Sequence, residues 1–192
     1  MQCRYWPACG TTTKETSLRD EYLTEGECRV IQVGGQSRAE IVKALADAGV
    51  QLNVHAQTLL AHPAFDDPVV RTLRIVERSV SQLGLKDGAV QSRVFAAARD
   101  QGLELCPLVT GPYLRLTMKD QANAPDSLLS AGRGPRGALH VASDPLSENP
   151  EYPKGFYLRV VDGQPWLRGY CCDDTYLWFP EQRLAFLLPD RT

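Results

Sequence analysis

Residues 156–172 read FYLRVVDGQPWLRGYCC, and this stretch predicts a β-hairpin. Asp162 and Gly163 separate two runs of alternating residues, and an Asp-Gly pair in that place favours a two-residue type I′ turn, because both central residues need a positive φ. This turn would place Val160 opposite Pro165, Arg159 opposite Trp166, Leu158 opposite Leu167 and Tyr157 opposite Arg168. A three-residue loop that included Gln164 would shift all of these pairs.

The predicted hairpin has two faces of different chemistry, because successive side chains of a strand point to opposite sides. The apolar face, expected to pack on the core, carries Phe156, Leu158, Val160, Leu167 and Cys171. The other face is the candidate binding face and carries Tyr157, Arg159, Trp166, Arg168 and Tyr170. Arginines among aromatic rings can stack within the protein, grip an anionic ligand, stack single-stranded bases or dock a protein.

Three more arginines extend the candidate site. Arg115 belongs to the segment YLRLTM, which predicts a strand with Leu114, Leu116 and Met118 on one side. Arg133 and Arg136 belong to GRGPRG, residues 132–137, where glycines allow an anion to approach the backbone. A solvated turn is the plainer interpretation of this loop.

Helical periodicity is concentrated in the first half of the chain. Ser37 and Glu40 form a capping box at the start of a helix over about 38–48, and a second helix follows the cap residue Asn53. The apolar spacing over about 89–101 predicts a third.

The second half of the chain favours strands. LELCP, YLRLTM and the residues around Leu139 have strand patterns, as do 28–33 and 71–78 earlier in the chain. We therefore predict an α+β protein with about three helices packed on a mostly antiparallel sheet, whose last strands are the hairpin and the LAFLLP segment. Residues 28–192 would form one domain, and residues 1–27 a loosely attached arm.

Composition limits the partners of the protein. The chain has 192 residues, 21 Lys and Arg against 23 Asp and Glu, and a formal net charge of -2. This balance supplies no global basic field for nucleic acid, so such a partner would need a local patch. No apolar run is long enough for a membrane helix, and we expect a cytoplasmic protein that does not bind membranes.

Cysteine and histidine spacing predicts neither a metal nor a cofactor. The six cysteines include no CxxC pair, which disfavours tetrahedral zinc, and reduced thiols are expected. His55 and His62 are read as ordinary helix-surface histidines, and Cys106 as a small buried apolar residue. No phosphate-binding loop, dinucleotide fingerprint, zinc-protease motif or nucleophile elbow is present, so no catalytic residue is assigned.

Several runs resemble those of a small bacterial family of uncharacterised proteins, over about residues 28–188: AGVQLNVHAQTLLAHPAF, GLELCP, GPYLRL and KGFYLRVVDGQPWLRGY. The resemblance implies one bacterial cytoplasmic domain and adds no site residues.

The sequence favours a non-enzymatic binding or interaction protein that uses the candidate binding face. The partner would be another protein or a second copy of this chain. The alternative functions are an enzyme acting on a nucleotide-like or other anionic small molecule, with arginines as the anion clamp, and a single-stranded nucleic-acid binder.

Overall fold

The computed structural model describes residues 28–124 and 135–189. The predicted arm, residues 1–27, and Arg133 lie outside these ranges. The strands of the described residues are β1 (Cys28–Val33), β2 (Gln51–Leu52), β3 (Arg71–Ser79), β4 (Ala89–Val90), β5 (Leu139–Val141), β6 (Gly155–Val161), β7 (Gln164–Tyr170), β8 (Leu177–Trp178) and β9 (Arg183–Leu187). The helices are α1 (Arg38–Asp47), α2 (Val54–Leu60), α3 (Gln91–Asp100) and α4 (Thr110–Thr117).

Seven strands form one mixed sheet in the order β1-β3-β9-β5-β6-β7-β2, and β4 pairs with β8 separately. Most neighbours are antiparallel, whereas β5 with β9 and β2 with β7 are parallel. The α+β class, the mostly antiparallel sheet and the C-terminal hairpin are thus confirmed, with four helices in the described residues instead of about three. Within the described residues, no helix is long and apolar enough to cross a membrane.

The local signals of the first two helices are present in the structure. Ser37 and Glu40 cap α1 reciprocally, and the Asn53 side chain accepts a hydrogen bond from the Ala56 amide at the start of α2. Buried Ile41 on α1 and Leu59 on α2 then face the sheet. Capping residues and apolar spacing together therefore account for both helices.

The sheet separates two apolar cores. Helices α1, α2 and α4 bury one face, where Leu158 and Leu167 of the hairpin lie. The opposite face packs on α3 and on Trp178 of β8, with Val76 and Phe186 contributing from the central strands. Strand alternation divides the side chains between these cores, since neighbouring residues of one strand point to opposite sides.

The hairpin has the predicted register. Asp162 and Gly163 adopt φ of 50° and 75°, and Arg159 pairs with Trp166 and Tyr157 with Arg168. The predicted placement of Cys171 on the core face is wrong: Cys171 follows the last paired residue of β7 and is exposed.

Two predicted strands are wrong. Residues 113–118 belong mainly to α4, and the consecutive burial of Tyr113, Leu114 and Arg115 shows that they do not alternate between two faces. LELCP forms a single bridge from Glu104 to Leu187 instead of a strand, because Pro107 has no amide to continue the ladder and α4 begins soon afterwards.

Replacing Gly163 by alanine should lower the free energy of unfolding by about 1 kcal/mol, because a Cβ disfavours its positive φ. No atom of the described residues lies within 4 Å of the added Cβ, so the expected effect comes from the backbone conformation. Urea unfolding would measure it, with Gln164→Ala at the neighbouring exposed position as the control. Equal stability of the two variants would contradict the turn assignment.

Candidate functional site

The hairpin brings four residues of the candidate binding face side by side. Tyr157 lies opposite Arg168, and Arg159 lies opposite Trp166, as the turn predicts. Tyr157 and Trp166 therefore each have an arginine directly opposite on the neighbouring strand. Side chains in such opposite positions are close enough to interact.

Arg168 stacks on Trp166. The guanidinium carbon lies 4.1 Å from the centroid of the indole ring, within the range of a cation–π contact, and both residues are half-buried. Within the described residues, Arg168 makes no hydrogen bond or ion pair, and its Nε is buried without an acceptor. The ring thus fixes the plane of a guanidinium whose charge no described carboxylate neutralises.

Arg159 does not reach the surface beside this pair. Arg159 is only 1% exposed and is one of the largest fully buried side chains among the described residues. The predicted face consequently presents one accessible arginine, Arg168, rather than two.

Tyr157 and Tyr170 belong to a ring cluster, which we define as His140, Tyr157, Tyr170, Tyr176 and Trp178. His140 lies at its centre, with ring centroids 5.2 Å from Tyr157, 5.4 Å from Tyr170 and 4.7 Å from Trp178. The Tyr170 hydroxyl also accepts a hydrogen bond from Gln91 Nε2 at 3.0 Å. Tyr170 therefore packs inside the protein, and Tyr157 is half-buried beside it.

His140 is a buried titratable group that sequence reasoning missed. It is 4% exposed, and its Nδ1 has no hydrogen-bond partner among the described residues. Burial lowers its pKa to about 4, although the backbone of Arg183 favours the protonated form. A neutral imidazole is therefore part of the ring cluster at physiological pH.

Arg115 lies across the sheet from the candidate binding face. Helix α4 packs on the apolar face of the hairpin, where a Cβ on Gly111 would lie 2.6 Å from the Phe156 ring. Arg115 Nη1 donates to Gln121 Oε1 at 2.6 Å, and Nη2 donates to the Met118 carbonyl. Of the loop arginines, Arg136 is exposed and precedes β5.

A thiol and an imidazole meet at the other end of β7. Cys171 Sγ lies 3.8 Å from His55 Nδ1 and 3.5 Å from the Glu151 carbonyl oxygen. Partial burial raises the pKa of Cys171, and burial raises that of Cys172 to about 11. Cys172 Sγ donates to Gln91 Oε1 at 3.6 Å, so the two neighbouring cysteines have separate partners.

Cys106 is buried, as the sequence predicts, and burial raises its pKa to about 12. The described ranges contain no group of three His, Cys, Asp or Glu side chains placed to hold a metal ion.

A groove of about 730 Å³ separates α1 from α2. Val42 and Leu60 are among the residues that line it. Arg38 Nε pairs with Asp66 Oδ2 at 2.7 Å, and Lys43 pairs with the acidic side chain one turn along α1. The cations of the groove are thus already neutralised, in contrast to Arg168.

Comparisons of the chain with protein-family models, with curated proteins and with solved structures give no match.

Proposed function

We propose that this protein is a non-enzymatic binding protein that recognises an acidic segment of a partner protein through Trp166 and Arg168. The observation that carries the proposal is the stacked guanidinium, which lies 4.1 Å from the indole centroid and has no described carboxylate partner. A planar guanidinium offers two parallel donors to a carboxylate. A guanidinium that is already ordered by stacking loses less side-chain entropy on binding than a mobile one.

The number of available cations favours a protein partner over nucleic acid. A phosphate backbone is bound by several Lys and Arg side chains at once. Burial of Arg159 leaves Arg168 as the accessible arginine of the candidate binding face, and the whole chain has a formal net charge of -2. Trp, Tyr and Arg are, by contrast, the residue types that dominate binding energy at protein interfaces.

Arg168→Ala should weaken binding of a hexaglutamate peptide about fivefold, because one charge-assisted pair at a half-exposed position is lost. For the unmodified protein we expect a dissociation constant on the order of 1 mM, since one short peptide supplies few contacts. Isothermal titration calorimetry at low salt would measure both values.

The matched control is Arg136→Ala, which removes an exposed arginine outside the hairpin. It should leave the affinity unchanged. If both substitutions weakened the peptide affinity equally, binding would depend only on the net charge of the protein, and the proposal would be wrong. Tighter binding of a single-stranded oligothymidylate than of the peptide would also overturn it.

Trp166→Ala tests the contribution of the ring. Without the indole, the guanidinium loses a cation–π contact worth about 0.5–1 kcal/mol and its fixed plane, so we expect a two- to fivefold weaker peptide affinity. The same titration measures this effect, and an unchanged affinity would show that stacking is irrelevant to binding.

A further inference from the structure

We propose that Cys171 and His55 form a nucleophilic pair that adds to electrophilic carbon, such as the β-carbon of an α,β-unsaturated carbonyl compound. This site lies beyond the last paired residue of β7 and is independent of the Trp166–Arg168 pair. It would make Cys171 a site of covalent modification by soft electrophiles.

Accessibility distinguishes Cys171 from the other described cysteines. Its residue is exposed, whereas Cys106 is buried and Cys28 and Cys172 are half-buried. An electrophile can therefore approach Cys171 from solvent, while Cys172 is turned toward Gln91.

His55 supplies the base that this thiol needs. Partial burial raises the pKa of Cys171, so the thiol keeps its proton at neutral pH and is a weak nucleophile by itself. Nδ1 of His55, 3.8 Å from Sγ, can accept that proton when the imidazole carries its own proton on Nε2. Lys154 then favours the thiolate, because its ammonium lowers the pKa of Cys171.

The fold holds the pair in place through Asn53 and Gly169. Asn53 Nδ2 donates to the Gly169 carbonyl at 3.0 Å, and the Gly169 amide donates to Asn53 Oδ1 at 2.8 Å. A Cβ on Gly169 would lie 2.6 Å from the His55 carbonyl carbon. The first turn of α2 therefore rests directly on β7, with His55 beside the residue that follows the strand.

The proposed step needs no reactant besides the electrophile. The Cys171 Sγ–carbon bond forms as the carbon–carbon π bond breaks, and the thiol proton passes to His55 Nδ1. The imidazolium then protonates the carbon next to the carbonyl, which completes a thioether and restores the neutral base.

The test is the rate of alkylation of each cysteine by N-ethylmaleimide at neutral pH, resolved by peptide mass spectrometry on the full chain. We expect Cys171 to react faster than Cys28 and Cys172, and His55→Gln to slow Cys171 about tenfold while leaving the other rates unchanged. The matched control, His62→Gln, removes the imidazole that caps the Ala64 amide and should not affect Cys171.

Thermal unfolding would show whether each variant folds, and His55→Ala, which keeps the Cβ that packs at Gly169, provides a second substitution. Equal alkylation of Cys171 in the unmodified protein and in a folded His55 variant would overturn the proposal. A rate for Cys171 no higher than that of half-buried Cys28 would do so as well.

Discussion

Replacing Gly169 by alanine is expected to lower the free energy of unfolding by about 2–3 kcal/mol, since the added carbon overpacks a site without free space. Its Cβ would lie 2.6 Å from the His55 carbonyl carbon and 2.8 Å from the Ala56 amide nitrogen. Both are backbone atoms, so α2 must move away from β7 and the two hydrogen bonds between Asn53 and Gly169 must lengthen. Urea unfolding followed by circular dichroism would measure the loss.

Gly163→Ala is the matched control for this variant, because it adds the same carbon to the same hairpin at a position where no atom of residues 28–124 or 135–189 lies within 4 Å. It should lose only about 1 kcal/mol, from its positive φ. If the two variants were equally stable, the close contact between α2 and β7 would be wrong. The Gly169 variant should also slow alkylation of Cys171, since its base is displaced.

Acid should destabilise the protein through His140 by about 3 kcal/mol between pH 6.5 and pH 4. The pKa of His140 is about 4 in the folded protein, against an ordinary value of 6.5. The unfolded chain therefore binds the proton first, and each pH unit between these values costs about 1.4 kcal/mol. Well above pH 6.5, His140 is neutral in both the folded and the unfolded state, and this proton-linked loss of stability disappears.

His140→Phe isolates this effect, because it keeps an aromatic ring beside Tyr157 and Trp178 but cannot bind a proton. Other groups also titrate as the pH falls: hydrogen bonds lower the pKa of the carboxyls of Glu40, Asp67, Asp120 and Asp173. These carboxyl groups are present in both the unmodified protein and the His140→Phe variant. The difference between the two unfolding free energies across the pH series therefore comes from His140. Parallel curves for the two proteins would contradict a buried neutral His140.

The hairpin was predictable because its determinants are local. Asp162 and Gly163 set the turn, and the turn sets the register of every pair in β6 and β7. The capping residues Ser37 and Asn53 are equally local, which is why the starts of α1 and α2 agree with the sequence prediction.

Helix α4 was not predictable from its own residues. Its short apolar segment fits a strand or a helix, and tertiary contacts decide between them. Gly111 lets the helix approach Phe156 closely, and the Tyr113 hydroxyl donates to the Gly34 carbonyl at 3.0 Å. Both partners are far away in sequence, so no local pattern indicates them.

The candidate site was predictable in composition but not in exposure. Alternation correctly placed Tyr157, Arg159, Trp166 and Arg168 on one face, yet it cannot show what covers that face. His140 packs against Tyr157 and Tyr170, and Trp178 packs against Tyr170, yet neither His140 nor Trp178 carries a sequence signal for these contacts. The pairing of His55 with Cys171 spans 116 positions and follows from the parallel contact of β2 with β7 and the packing of α2.

An NMR titration of the full chain with hexaglutamate would locate the acidic peptide directly. We expect the largest chemical-shift changes at the Trp166 indole N–H and the Arg168 Nε–H, saturating together, with little change at Trp178, which is buried in the ring cluster. Binding that shifts Arg38 and Lys43 of the α1–α2 groove while the Trp166 and Arg168 signals stay in place would contradict recognition by the hairpin face.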